Sequence, residues 1–314
     1  MTTYNVVYGN KVLYYANEGK YLSYDDGEDD SLLTFVTEAS TDLFEAAFGI
    51  ASGTLEWDMG DTSTSVSANY VSHKYAEEGN KIVKVYQGTT DGYDSFTGVV
   101  NLQDCNLVGS ETIDLSGITN MDGVCWLDDN EAFTGAILFP GGATSNFNLT
   151  RNNMTGVADL RNLVVTGTNF YAYLCSNLTN IYFHATDNAF TGNFWLANDN
   201  ITGPFDVSCL TGIGGSFQIH NNSNLSEIIL PNALTQPFTE IDADDGSLSQ
   251  ASVDAIFTKL NVFFDASTPT TDLTVDVHGG TNMPPTDGES NSDIVSLTSI
   301  FSGAGHTFTA NINT

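Results

Sequence analysis

A short motif recurs through the middle of the chain at a nearly constant spacing, and it limits the possible folds more than any other feature. In CWLDDN (125–130) and FWLAND (194–199), two apolar residues flank a tryptophan and polar residues follow. The first motif residue recurs after 25, 22, 23, 24, 23 and 24 residues. Its occurrences are Val100, Cys125, Phe147, Phe170, Phe194, Phe217 and Ile241. A fixed period in the twenties predicts a solenoid in which each turn contributes one short strand.

Two further positions of the motif keep the same register. Position three should share the inner strand face with position one, and it is occupied by Leu102, Leu127, Leu149, Ala172, Leu196, Ile219 and Ala243. Position six should form a ladder of side chains that hydrogen-bond backbone groups in the bend, and it is occupied by Cys105, Asn130, Asn152, Cys175, Asp199 and Asn222, then Gly246. This pattern is typical of leucine-rich repeats, and it predicts a mainly β fold with a parallel solenoid sheet over 93–265.

A longer recurrence lies on top of the repeat. IDLSGI (113–118), ADLRNL (158–163) and FDVSCL (205–210) are separated by 45 and 47 residues, so two turns are predicted to form a higher unit. Residues 266–314 are predicted to be C-terminal repeats and a cap, because each turn hides its apolar face only against a neighbour. Short helices are expected at SVDAIFTKL (252–260) and SDIVSLTSIF (292–301), with Ser and Asp opening them as N-caps.

Positions two and four of each strand should point away from the core, onto the outer face of the sheet. Four aromatic residues are predicted to share this face, namely Trp126, Tyr171, Tyr173 and Trp195. Their polar neighbours include Asn148, Gln218 and His220. Exposed aromatic side chains among polar ones suit binding of a glycan or a protein partner. Contact with another subunit, or cross-strand packing that only stabilises the sheet, explains the same pattern.

Charge and missing motifs exclude several functions. The net charge of −31, from 8 basic and 39 acidic residues, argues against binding of nucleic acid or anionic membranes. No Sec signal peptide and no membrane-spanning apolar run is recognised. The chain shows no nucleophile elbow, HExxH, P-loop or GxGxxG, so it is predicted to be no enzyme and to have no cofactor and no metal site. The cysteines at 105, 125, 175 and 209 are predicted to be free, buried thiols.

The N-terminal third carries a different pattern. WDMGD (57–61), VSHKY (71–75) and the strand-like KIVKVY resemble the PKD family of immunoglobulin-like β-sandwich domains. The matching residues are Trp57, Asp58, Gly60, Asp61, His73, Tyr75 and Gly79. The resemblance implies a sandwich over 32–92, in which His73 is structural. Before it, YNVVY-GN-KVLYY predicts a β-hairpin within residues 1–31, serving either as an attachment segment or as an extra strand pair.

A PKD-like domain followed by turns such as NLTNIYF and NNSNLSEIILP is similar to leucine-rich-repeat proteins of capsid appendages and tail fibres of Bacteroidetes phages. Related bacterial surface proteins share the pattern. The resemblance implies a virion surface spike, fibre or decoration protein, assembled in the host cytoplasm and joined to capsid, penton or tail proteins by its N-terminal part. Its solenoid would then contact a host glycan or protein, as a homo-oligomer. The alternatives are a bacterial surface adhesin and, third, a glycan depolymerase.

Overall fold

The computed structural model describes residues 4–8, 11–15, 22–25, 31–39, 43–50, 53–67, 69–87, 96–167, 169–186, 188–231 and 238–313. They belong to two compact units, Met1–Ser31 and Leu32–Thr314. The first unit is a three-stranded antiparallel sheet of β1 (Tyr4–Tyr8), β2 (Lys11–Tyr15) and β3 (Leu22–Asp25). Tyr8 pairs with Lys11, so the predicted hairpin is confirmed and a third strand joins it. The Gly-Asn turn and the acidic run after Asp25 lie outside the described residues.

A two-sheet sandwich begins the second unit, as expected for an immunoglobulin-like domain. Its strands are β4 (Leu33–Ala39), β5 (Leu43–Ile50), β6 (Leu55–Asp58), β7 (Thr64–Ser67), β8 (Tyr70–Lys74), β9 (Gly79–Gln87) and β10 (Phe96–Asn101). One sheet has the order β4-β9-β6-β7, and β10-β5-β8 lie in the other. Rings pack between the sheets, with Phe48 5.5 Å from Trp57 and Phe35 6.1 Å from Phe44. The buried Trp57 therefore anchors the sandwich core.

The expected PKD-like residues make local contacts within this sandwich. Asp58 accepts a hydrogen bond from the Gly60 N–H at 2.9 Å, which closes the turn after β6. His73 Nε2 lies 2.9 Å from Asp61 Oδ2, and the ring of His73 packs 4.6 Å from that of Tyr75. These contacts join the His73 ring of β8 to the turn that follows β6. The boundary predicted between residues 92 and 93 lies outside the described residues.

The solenoid follows, with a second set of strands. These are β11 (Ile113–Asp114), β12 (Val124–Trp126), β13 (Ile137–Leu138), β14 (Gly142–Thr144), β15 (Asn146–Asn148), β16 (Gly156–Leu160), β17 (Leu163–Gly167), β18 (Phe170–Tyr171), β19 (Leu178–Phe183), β20 (Asn188–Phe190), β21 (Phe194–Trp195), β22 (Thr202–Asp206), β23 (Leu210–Ile213), β24 (Ser216–Gln218), β25 (Asn224–Ile229), β26 (Glu240–Asp242), β27 (Leu273–Asp276) and β28 (Phe308–Asn311).

The predicted repeat is confirmed residue by residue in the main sheet. Its order is β28-β27-β26-β24-β21-β18-β15-β12-β10-β5-β8, parallel from β10 to β28. Val100 pairs with Cys125, and each later position-one residue pairs with the next, as far as Phe217 with Ile241. All residues predicted for positions one and three are buried. The sheet continues without a break into the sandwich, because β10 also pairs antiparallel with β5.

Return strands close the other sides of each turn. A four-stranded sheet β14-β17-β20-β23 covers one side, while β11-β13, β16-β19 and β22-β25 form three separate pairs. When the turns are numbered from the one that begins at Val100, each pair joins an odd-numbered turn to the even-numbered turn that follows it. This is the two-turn unit that the longer recurrence predicts. The recurring aspartates Asp114, Asp159 and Asp206 each accept the backbone N–H two residues on, at 2.8–3.1 Å. The shared motif is thus a side-chain-closed corner.

Side chains of the ladder at position six form hydrogen bonds that connect adjacent turns. Asn130 Nδ2 donates to the carbonyl of Leu102 at 2.8 Å, and its Oδ1 accepts the N–H of Leu107 at 3.0 Å. Cys175 Sγ donates to the carbonyl of Leu149 at 3.0 Å, and Cys105 Sγ reaches Glu45 of β5 instead of another turn. Position five adopts positive φ in every turn, which opens the bend, at Asp104, Asp129, Arg151, Leu174, Asn198, Asn221 and Asp245.

Two helices replace return strands at the C-terminal end, as predicted. They are α1 (Gln250–Asp265) and α2 (Ser292–Gly303), with a 3-10 turn at Gly288–Ser290. The expected caps are wrong: Ser249 and Asn291 are the N-caps, because their side chains accept the first free backbone N–H groups. Phe264 of α1 packs 4.7 Å from Phe301 of α2. None of the described helices has the length and apolarity needed to cross a membrane.

The thiols of the chain are free, as predicted. Burial raises the pKa of Cys125 to about 12, so this thiol stays protonated and unreactive at neutral pH. One expectation is wrong: Cys209 is only half-buried, because it lies in the corner after β22, where it packs against the edge of the core and stays partly open to solvent.

Candidate functional site

The outer face of the main sheet carries the residues predicted for binding. Position two is half-buried in every turn, at Asn101, Trp126, Asn148, Tyr171, Trp195, Gln218 and Asp242. Position four differs from the expectation, because Asp128 is only 4% exposed and Thr150 only 5%, and Ala197 is also buried. These shorter side chains lie between larger neighbours on strands about 4.8 Å apart, which screens them from solvent. The accessible part of the face is therefore narrower than the sequence pattern suggests.

Three of the four predicted aromatic residues form a cluster, here called the aromatic cluster, of Tyr171, Tyr173 and Trp195. Tyr171 is paired in register with Trp195, and their ring centroids are 5.1 Å apart. Tyr173 packs edge-on, 6.0 Å from Trp195 and 6.4 Å from Tyr171. All three side chains are half-buried. Trp195 Nε1 is shielded from solvent and has no hydrogen-bond partner among the described residues. The cluster therefore presents ring faces and edges more than polar groups.

Trp126 shares the face but lies apart from the aromatic cluster. The strand between β12 and β18 is β15, which presents Asn148 at position two. Two strand spacings place Trp126 about 9.6 Å from Tyr171 along the sheet. Asn148 Oδ1 accepts the N–H of Thr150 at 3.1 Å, so the amide is oriented by its own strand. Within the described residues, no ring pairs with Trp126. The four aromatic residues thus make a triad and one separate tryptophan.

Gln218 and His220 face acidic neighbours on the next turn. Gln218 Nε2 donates to Glu240 Oε2 at 3.1 Å, while His220 Nδ1 lies 2.9 Å from Asp242 Oδ2. This contact with Asp242 raises the pKa of His220. His220, Asp242 and Asp244 form the group of described side chains whose donor atoms lie close enough to hold a metal ion. The two polar candidates therefore belong to an acidic patch beside the aromatic cluster.

Buried Asp128 carries a pH dependence that one substitution should remove. Burial raises its pKa from 3.8 to about 6, and Oδ1 has no hydrogen-bond partner in the described structure. The folded state therefore binds the proton of Asp128 more tightly than the unfolded state, so the contribution of this carboxyl to stability is greatest below pH 4 and is lost as pH rises through 6. Asp128→Asn should be more stable than wild type by about 2–3 kcal/mol at pH 8 and equal to it near pH 4. Urea unfolding of both proteins across this range measures the difference.

An exposed carboxylate provides the control for that experiment. Asp122 is exposed, in the segment before β12, and its substitution by asparagine should leave the pH dependence of unfolding unchanged. A stability difference between Asp128→Asn and wild type that stays constant from pH 4 to pH 8 would contradict the assignment.

Comparisons with protein-family models, with curated proteins and with solved structures found no match to this chain. The class of protein is therefore defined by the fold alone: a β-solenoid whose main sheet continues into a β-sandwich.

Proposed function

We propose that this chain is a non-enzymatic adhesion protein whose solenoid binds a host-surface glycan on the outer face of its main sheet. The observation that carries the proposal is the aromatic cluster of Tyr171, Tyr173 and Trp195, half-buried on three adjacent outer positions and partly open to solvent. Soluble proteins seldom leave grouped large rings partly open to water unless a partner covers them. Tyrosine and tryptophan rings present an apolar surface with polar edges, which suits the apolar faces of sugar rings.

The neighbours of the cluster support a sugar more than an apolar peptide. Gln218 is paired in register with Trp195, and Asn148 flanks Tyr171 on the other side. Amides offer both donors and acceptors, as sugar hydroxyl groups require. The wider acidic character of the chain favours a neutral or cationic glycan over a sulfated or phosphorylated one, because like charges repel.

The proposed setting is the surface of a virion, as a spike, fibre or capsid decoration, with host adhesion as its role. Support comes from the resemblance of the PKD-like and repeat motifs to phage appendage proteins. The separate N-terminal sheet unit suits attachment to capsid, penton or tail proteins, since it is compact in itself. A bacterial surface adhesin is the competing setting. Cofractionation with purified phage particles, probed by an antibody against the chain, separates the two.

Replacing Trp195 with alanine should weaken glycan binding at least about tenfold, because the largest ring of the cluster is lost. Binding is measured on a glycan array and then by calorimetry with the best-bound oligosaccharide. Trp126→Ala should weaken binding less, since Trp126 stands apart from the cluster.

Tyr182→Ala is the matched control, because Tyr182 is 47% exposed on return strand β19 and lies outside the main sheet. Circular dichroism checks that each variant is folded. Wild-type binding that Trp195→Ala leaves unchanged would overturn the glycan site. Release of reducing ends from the bound polysaccharide would replace adhesion by a depolymerase activity.

A further inference from the structure

The acidic patch beside the aromatic cluster has the composition and spacing of a metal site. His220 follows β24, and Asp242 and Asp244 lie on the next turn at β26 and just after it. Gln218 is paired in register with Asp242, so positions two residues further on, His220 and Asp244, also face each other. One donor atom from each of His220, Asp242 and Asp244 lies within 4.8 Å of the other two. The solenoid thus assembles residues from two turns at one point.

These distances fit a small divalent ion after a slight adjustment. Zinc lies about 2.0–2.2 Å from imidazole nitrogen and carboxylate oxygen, so two of its ligand atoms are about 3.4 Å apart in a tetrahedral site. His220 Nδ1 and Asp242 Oδ2 are already 2.9 Å apart. Side-chain rotations that move the donor atoms by about 1 Å would therefore bring all three onto one ion, with the backbone of the sheet left in place.

The electrostatics of the patch favour a bound cation. Asp242, Asp244 and Asp245 lie together on one turn, and Asp276 is paired in register with Asp242 on β27. Asp244 Oδ1 is closed to solvent and has no hydrogen-bond partner among the described residues. A buried acceptor oxygen without a donor, among repelling carboxylates, is a position that a cation stabilises.

We propose that His220, Asp242 and Asp244 bind a divalent transition-metal ion, for which zinc is the best fit. One imidazole and two carboxylates are the donors that zinc accepts, with a fourth position left for water or for an oxygen of a bound molecule. Calcium fits poorly, because it takes six to eight oxygen ligands. The proposal does not depend on glycan binding, since none of its ligands belongs to the aromatic cluster.

The adjacent turn places a further carboxylate, Asp276, beside the site. His278 follows β27 in the same column as His220 and Asp244, and its Nδ1 contacts Asp276. Asn311 Nδ2 donates to Asp276 Oδ2 at 2.9 Å, which holds that carboxylate in place. Asp276 is thus a fixed additional negative charge on the strand next to Asp242, and such a charge favours a bound cation.

The test is calorimetric titration of the metal-stripped full chain with zinc chloride. Wild type should bind zinc, whereas His220→Ala and Asp244→Asn should each weaken that binding more than about 100-fold. His184→Ala is the matched control, since His184 is another partly exposed histidine, bonded to the carbonyl of Thr186, and its loss should leave zinc affinity unchanged. Cobalt(II) in place of zinc should give visible absorption bands that disappear in His220→Ala.

Circular dichroism of the metal-free variants verifies that they are folded. If His220→Ala does not fold, Asp244→Asn still tests the site, because asparagine keeps the shape of the aspartate side chain. Zinc binding that is equal in wild type and both variants would overturn the site, as would the absence of zinc binding by wild type. Tighter binding of calcium than of zinc would overturn the assignment to a transition metal.

Discussion

Phe194→Ala is expected to lower the free energy of unfolding by about 4 kcal/mol, the range for deleting a buried aromatic side chain. Phe194 is fully buried at position one of its turn. Its ring centroid lies 4.7 Å from that of Phe170 and 5.3 Å from those of Phe190 and Phe217. Phe170 and Phe217 lie on β18 and β24, the two neighbours of β21 in the main sheet, and Phe190 lies on return strand β20. The cavity left by alanine would therefore weaken packing in several turns at once. Urea unfolding followed by circular dichroism measures the loss.

Two further variants make this result specific to ring packing. Phe194→Leu keeps most of the buried apolar volume, so its loss should be less than half that of alanine. Tyr182→Ala removes an exposed ring from the same solenoid and should change stability by less than about 1 kcal/mol. Equal losses for Phe194→Ala and Tyr182→Ala would show that stacking of the phenylalanine side chains between turns contributes little.

The register of the main sheet is predictable because the inward positions carry a strict chemical demand. A residue such as Phe147 or Leu149 has neighbouring turns above and below it, so a polar side chain there would lose its water without a partner. That demand repeats in each turn and leaves a period in the sequence. The junction with the sandwich has no such period. Strand β10 pairs parallel with β12 on one edge and antiparallel with β5 on the other, and no local pattern announces this second pairing.

One ladder residue cannot be recognised from the sequence by a fixed count, because its turn contains a longer bend. Gly246 occupies position six of its turn and has no side chain to donate. In the next turn the sequence Gly279-Gly280 lengthens the bend, and Asn282 supplies the ladder contacts, with Nδ2 donating to the carbonyls of Ala243 and Val277. Its Oδ1 accepts the N–H of Leu248 at 2.8 Å, as Asn130 does for Leu107. Counting a fixed six positions misses Asn282, whereas the Gly-Gly pair, which permits positive φ, marks the longer bend.

One part of the candidate site could likewise be predicted from the sequence, and another part could not. The meeting of Tyr171 with Trp195 follows from the register alone, since both occupy position two of adjacent turns. The group of His220, Asp242 and Asp244 was not predicted, because metal motifs are recognised by close spacing along one helix or loop. Here the ligands are 22 and 24 residues apart, close to one period of the repeat. Comparing the outer columns turn by turn, rather than reading along the chain, is the signal that identifies them.

Asn222→Ala should cost about 3–4 kcal/mol, because the side chain joins two turns from inside the bend. Nδ2 donates to the carbonyls of Leu196 and Ile219, both at 2.9 Å, and Oδ1 accepts the N–H of Ile201 at 3.0 Å. Alanine leaves this buried N–H and two buried carbonyls without partners, and each such group costs about 1–3 kcal/mol, partly relieved by relaxation. Urea unfolding at neutral pH measures the effect.

Variants of the same ladder position separate lost hydrogen bonds from lost volume. Asn222→Cys should lose less than alanine, because Cys175 in the same position of another turn donates its thiol to the carbonyl of Leu149. Asn222→Asp should gain stability as pH falls, since burial raises the pKa of Asp199 at the equivalent position and a protonated carboxyl regains a donor. Asn224→Ala, at an exposed amide two residues further on, should cost less than about 0.5 kcal/mol. If Asn222→Ala proved no more costly than Asn224→Ala, the ladder would contribute little to holding the turns together, and the stability of the solenoid would rest on its apolar core.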